Sequence, residues 1–157
     1  MTAAQAARRT LVEAAQLLDF QWLDYADSDA WRLVADGGIA FDVEHDEGSG
    51  RLVIQSDIGT VPDAACTRVY EILLQYNYLW SQTGGIRMAL DGPGGQVVMM
   101  FDVQTADMEV SALCGMLTRM SRLQKAWREI LKDTVGASAD TAASLRWGSA
   151  VSGRQTG

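Results

Sequence analysis

A chain of 157 residues that is 48% hydrophobic, with only two prolines, fits one globular domain able to bury a sizeable core. Thirteen basic residues against twenty acidic ones leave a formal net charge of -7, which disfavours nucleic acid and anionic bilayers as partners. The longest apolar runs, such as 97–101, fall far short of the roughly 20 residues that span a bilayer, and the N-terminus lacks a signal-peptide core. A cytoplasmic protein without an integral membrane segment is expected.

Residues 3–18 place Ala4, Ala7, Leu11, Ala14, Ala15 and Leu18 at helical spacing among strong helix formers, which predicts a first helix. A strand over 31–35, an Asp36-Gly37-Gly38 turn and a strand over 39–44 follow, with Ile39, Phe41 and Val43 alternating against Ala40, Asp42 and Glu44. After a turn at 46–50, residues 51–58 supply a third strand, completing an antiparallel meander.

Pro62 and Asp63 suit the first turn of a helix, and Gly84-Gly85 can close it in the left-handed conformation, so a single helix is predicted over 62–82. It carries two apolar stripes. One runs through Cys66, Val69, Leu73, Tyr76 and Trp80, the other through Tyr70, Leu74 and Tyr78. A helix in a small domain needs one apolar face for its own core, so the surplus face points to a subunit interface. Periodicity alone leaves open which stripe that is.

A hairpin follows, with strands over 86–90 and 96–101 around Asp91-Gly92-Pro93-Gly94-Gly95. Val97, Met99 and Phe101 alternate with the equally apolar Val98 and Met100, which places that strand inside the sheet or covered on both sides. The clearest helix spans 108–131, with Leu113, Met116, Leu117, Met120, Leu123, Trp127, Ile130 and Leu131 in register and Arg119, Arg122, Lys125 and Arg128 on its other sides. From Thr134 the periodicity fades, so the chain divides into a domain over 1–132 and an Ala/Ser/Thr/Gly tail over 133–157 expected to be flexible. The fold class is α+β, a single antiparallel sheet with helices in the order α-β-β-β-α-β-β-α.

Groups for catalysis are sparse. His45 is the lone histidine, which makes neither a triad nor a zinc site, and is expected to be hydrogen-bonded or exposed. The acidic cluster Asp42, Glu44, Asp46 and Glu47 departs from a calcium loop, since its glycine, Gly48, comes one place late and Val53 stands where the closing Glu belongs. Neither Gly-rich turn follows a strand, opens a helix and carries a P-loop lysine. Cys66 and Cys114, far apart in apolar helical patterns, read as reduced core thiols. No catalytic residue, metal or cofactor is assigned.

The order of motifs resembles the CesT/SycE-like type III secretion chaperones. Its echoes are Leu52-Val53-Ile54 running to Ile58-Gly59-Thr60-Val61-Pro62, then Leu73-Leu74-Gln75-Tyr76-Asn77, Thr83-Gly84-Gly85 with Met88-Ala89-Leu90-Asp91, and Leu123-Gln124-Lys125-Ala126-Trp127-Arg128. The similarity covers about residues 3–132. It implies a non-enzymatic homodimer that binds the N-terminal regions of type III secretion effector proteins, keeps them secretion-competent and hands them to the export ATPase or other export-apparatus components. Carried onto this chain, the resemblance selects Leu11, Leu18, Trp31, Leu33, Phe41 and Val43 for effector binding, and Tyr70, Leu74, Tyr78, Ile86 and Met88 for the dimer. The spacing of the first six residues suits core packing equally well. Two other readings stand beside it: a cone-shaped α+β domain enclosing a ligand or active-site pocket, and a non-catalytic regulator with a chaperone-like fold.

Overall fold

A computed structural model describes residues 1–25 and 28–152. Helix α1 (Ala3–Leu17) opens on a capping box, in which the Thr2 hydroxyl accepts from the Gln5 N–H and the Gln5 side chain accepts from the Thr2 N–H. Strands β1 (Gln21–Asp24), β2 (Ala30–Ala35), β3 (Ile39–Asp46) and β4 (Arg51–Gly59) follow. Next come α2 (Cys66–Tyr78), the short α3 (Trp80–Thr83), β5 (Arg87–Leu90), β6 (Val97–Gln104) and α4 (Val110–Ser152). The strands form one antiparallel sheet of six in the order β1-β2-β3-β4-β6-β5.

The expected α+β architecture is the one observed, with β6 in the interior position that its doubly apolar pattern predicts. Three elements differ from expectation. β1 is an additional strand ahead of the meander. Four residues long and at the sheet margin, it turns only Trp22 inward and shows no alternation that a sequence pattern could register. The 62–82 helix is three pieces. Pro62 keeps an extended ψ of 145° and starts a 3₁₀ turn at Asp63–Ala65, α2 begins at Cys66, and Leu79, with ψ of 31°, separates α2 from α3. Gly84 then closes the unit in the left-handed conformation at φ 66°, as its position predicts.

The third difference is at the C-terminus. α4 continues past Leu131 through the aperiodic segment as far as Ser152, and the rest of the expected tail, residues 153–157, lies outside the described residues. Alanines favour the helix there, no proline follows Pro93, and the hydroxyls of Thr134, Ser138 and Thr141 donate back to the carbonyls of Ile130, Thr134 and Ala137.

Helices α1, α2 and α4 cover one face of the sheet. The core between them holds Leu11 of α1, Leu33, Phe41, Val43, Leu52, Ile54 and Met99 of the sheet, and Leu117 and Met120 of α4. Gln124 anchors α4 to the sheet as a buried polar group, donating to the Ser56 hydroxyl at 2.6 Å and the Asp57 carbonyl at 3.1 Å. Ser56 in turn donates to the Ala40 carbonyl at 2.7 Å. Beneath α2 and α4, among Ile58, Val69, Leu73, Val97 and Trp127, only about 10 Å³ of free space remains. That space is far too small for a ligand of the kind a cone-shaped enzyme or ligand binder would enclose there.

Candidate functional site

Two edges end the sheet, and they are built differently. At β5, the Asn77 side chain of α2 lies alongside the strand: its amide nitrogen donates to the Met88 carbonyl at 2.9 Å and its amide oxygen accepts from the Met88 N–H at 2.8 Å. One side-chain amide thus satisfies the strand's middle peptide much as a neighbouring strand would. At β1 no strand or side chain among the described residues occupies the outer edge. Leu23, Tyr25 and Leu17 stand exposed beside it, Leu23 at 52%.

The β1 edge is rigidly held from behind. Trp22 packs on Trp31 with ring centroids 6.1 Å apart, and the Arg8 guanidinium lies 5.6 Å above the Trp22 ring while bonding the Asp24 carboxylate at 2.9 Å. That bond holds the Asp24 carboxyl below its ordinary pKa. On the face away from the helices, Arg32 grips Asp42 bidentately at 2.7 and 2.8 Å. Asp102 of β6 takes both Arg51 and Arg87. Burial pushes the Asp102 carboxyl up, but the hydrogen bonds and charges of Arg87 and Arg51 outweigh it and leave its pKa lowered.

A second concave feature lies between β6 and the start of α4. Phe101, Val103, Met108, Leu113 and Met116 line an apolar groove of about 110 Å³ with Asp107 and Glu109 at its rim. None of its residues belongs to the effector-binding set chosen from the resemblance. The available signal was the 97–101 run, apolar on both faces, followed by Val103 and Met108.

Of the residues chosen for effector binding, Leu11, Trp31, Leu33, Phe41 and Val43 are buried in the chain's own core, and Leu18 is half-buried at its margin. The structure brings them together as a packed interior layer between α1 and the meander, without an open pocket among them. Of those chosen for the dimer, Leu74 and Tyr78 are 70% and 84% exposed, Tyr70 is half-buried, and Ile86 and Met88 are buried beneath α2. The two stripes of the helix therefore separate. Val69, Leu73 and Tyr76 pack inward, with Tyr76 edge-on to Trp127 at 5.0 Å, whereas Leu74 and Tyr78 face out; Trp80, expected on the inward stripe, is instead 75% exposed because the helix breaks at Leu79.

His45 is neither exposed nor hydrogen-bonded through its ring, contrary to expectation. It is buried on the core face of β3 with both ring nitrogens unpartnered among the described residues. In the adjoining acidic turn, Asp46 accepts from the Gly48 N–H and the Ser49 hydroxyl, while Asp42 is engaged by Arg32. Cys66 and Cys114 are free, half-buried thiols.

Comparison with known proteins places this architecture. Among solved structures that share the fold, one chain of the ExsC-ExsE complex is 16% identical at a TM-score of 0.68, with 83% of this chain and 97% of that chain covered. A chain of the HopA1-SchA chaperone-effector complex is 17% identical at 0.63, covering 80% and 95%. A chain from the complex of the Yersinia pestis type III secretion chaperone SycH with a stable fragment of YscM2 is 17% identical at 0.60, covering 77% and 98%. No curated protein sequence matches the chain. The profile of the Tir chaperone protein (CesT) family matches residues 33–128, more than half of the sequence, and the chain therefore belongs to that family.

Proposed function

We propose that this chain binds the N-terminal regions of effector proteins through the open β1 edge and keeps them secretion-competent for export. As a member of the CesT family it is a type III secretion chaperone, a binding protein rather than an enzyme. The observation that carries the site is the contrast between the edges: Asn77 bonds the β5 edge at Met88, while the outer edge of β1 has no partner among the described residues and is flanked by exposed Leu17, Leu23 and Tyr25. An extended segment added to β1 gains main-chain hydrogen bonds there and can bury alternate apolar side chains. Each buried leucine or phenylalanine contributes about 1.5–3 kcal/mol towards the cost of ordering a disordered client. The groove at Phe101, Val103, Met108, Leu113 and Met116 supplies a further apolar contact. The core positions Leu11, Trp31, Leu33, Phe41 and Val43 support this surface from beneath.

The functional unit on this reading is a homodimer formed through Tyr70, Leu74 and Tyr78 of α2, with Trp80 beside them and Ile86 and Met88 as the buried bed. It resides in the cytoplasm, which accords with the finding that no helix among the described residues is long and apolar enough to cross a membrane. It passes its clients to the export ATPase or other export-apparatus components. The likeness of the full sequence extends the proposal to a broad-specificity, export-control role of the HpaB kind, in which several unrelated effectors bind one chaperone. Domain 1–132 carries these activities, and residues 133–157 are an appendage.

The test is a binding titration against a panel of effector N-terminal segments, using the wild type and Leu23→Lys. Binding weakened about tenfold by the substitution supports the β1 site, since one apolar contact is worth at least that factor. Unchanged binding by Leu23→Lys would move the site elsewhere, and no binding to any segment would overturn the effector reading.

A further inference from the structure

Among the described residues, five arginines rest on carboxylates: Arg8 on Asp24, Arg32 on Asp42, Arg51 and Arg87 on Asp102, and Arg68 on Glu71. The cations of α4 depart from that habit. Arg119, Arg122, Lys125 and Arg128 follow one another at every third residue, all are exposed, and no acidic residue occurs over 110–128. Among the described residues none of the four forms an ion pair. Arg119 donates to the Gln82 carbonyl and Arg128 to the Asp57 carbonyl, neutral acceptors that fix the ends of the row without cancelling its charge. Arg122 and Lys125, between them, have no partner among the described residues.

Spacing by three makes this a ridge that winds across the solvent side of the helix over roughly 13 Å. Opposite it, Leu113, Leu117, Met120, Gln124 and Trp127 bury the helix on the core. Neighbouring like charges three residues apart mildly destabilise a helix, and the first acid after the row, Glu129, forms no ion pair with it among the described residues. A solvated face normally mixes both signs, as the arginine-carboxylate pairs elsewhere in this chain do.

We propose that this ridge is a docking surface for a compact acidic patch on a protein partner, separate from both the β1 edge and the exposed stripe of α2. The chain's own charge selects that occupant. Taking these four cations from a net charge of -7 leaves -11 on the rest of the chain. Duplex nucleic acid or an anionic bilayer extends beyond the ridge and meets that surplus negative charge. A patch of carboxylates confined to the ridge does not, because screening cuts interactions between exposed charges beyond about 8 Å at physiological salt.

The proposal is independent of effector binding and is tested with a labelled oligoglutamate peptide, duplex DNA and phosphatidylserine vesicles. The proteins are the full-length wild type, Arg122→Gln combined with Lys125→Gln, and Arg9→Gln as an exposed cation off the ridge. Glutamine preserves helix propensity, and neither ridge residue has a structural partner, so circular dichroism and melting should match the wild type. The expected result is salt-sensitive binding of the peptide by the wild type and Arg9→Gln, weakened about tenfold in the double variant. Equal binding by the double variant, no peptide binding by the wild type, or tighter binding of DNA or vesicles than of peptide would each overturn it.

Discussion

Leu73 and Leu74 are adjacent in sequence and chemically identical, yet α2 gives them opposite environments: Leu73 is 6% exposed and Leu74 is 70% exposed. The difference lies in rotation about the helix axis. One turns towards Val69, Val97 and Trp127, while the other joins Tyr78 on the outside. An apolar stripe on a helix therefore identifies a contact surface without saying whether the contact is with its own chain. The first way to break this comparison is to truncate each leucine. Leu73→Ala should lower unfolding free energy by about 2–5 kcal/mol through lost burial and a residual cavity, whereas Leu74→Ala should stay within roughly 0.5 kcal/mol in the monomer. Urea unfolding at protein concentrations where the chain is monomeric measures both. Equal losses would mean that the two stripes are not distinct.

Asn77 sits on the flank of α2 between these surfaces, and its amide decides what the neighbouring strand can do. Asn77→Ala leaves both the Met88 N–H and the Met88 carbonyl without their partner, at an expected cost of about 1–3 kcal/mol. The same change opens a second strand edge, so the variant should self-associate or take up extended peptides at β5 as well as β1. A variant with wild-type melting behaviour would show that the amide bridge contributes nothing.

How far α2 could be read in advance shows where sequence reasoning stops. The helices and hairpins were legible because their apolar residues recur at 3.6 or 2.0 and because Asp36-Gly37-Gly38 and Gly84-Gly85 mark turns. The family was legible from the order of these elements. β1 was not, since four edge residues facing mostly solvent carry no periodicity. The extension of α4 to Ser152 was not either, because its alanines favour helix without marking a buried face, while its Ser, Thr, Asp and Gly residues are weak helix formers. Leu11, Leu33, Phe41 and Val43 look the same in sequence whether they line a binding site or fill a core. Only the layer of α1 laid over the meander shows that here they are interior. Asn77 was legible as part of the Leu73-Leu74-Gln75-Tyr76-Asn77 motif, but its role at the strand edge was not, since that depends on a strand eleven residues further on.

The far face of the sheet extends the contrast between inside and outside to charge. Asp102, largely buried between Arg51 and Arg87, has its pKa lowered in the folded chain from an ordinary value of 3.8. A carboxyl whose folded pKa lies below its unfolded one contributes stability that is fully present above about 3.8 and is lost as pH falls through the folded value. The stability gap between the wild type and Asp102→Asn should therefore be constant near neutrality and shrink as pH drops below that range. Urea unfolding across an acid series measures it, and a gap that stays constant with pH would show that Asp102 is not held ionised by its arginines.

Leu74→Asp should have the smallest effect on the folded monomer and still be the most informative substitution. At 70% exposure the new carboxylate stays in water in the isolated chain, so melting of the monomer should barely move. In a dimer joined through Tyr70, Leu74 and Tyr78 the same carboxylate is desolvated, and two-fold symmetry repeats that cost once on each subunit. Light scattering should therefore give one chain mass for Leu74→Asp where the wild type gives two. A mass of two chains for both proteins would put the twofold contact elsewhere and leave Leu74, Tyr78 and Trp80 as a surface for a different partner. Placed beside Leu73→Ala, the result separates the two apolar surfaces of one helix: the inner leucine changes the free energy of folding, and the outer one changes only the company that the folded chain keeps.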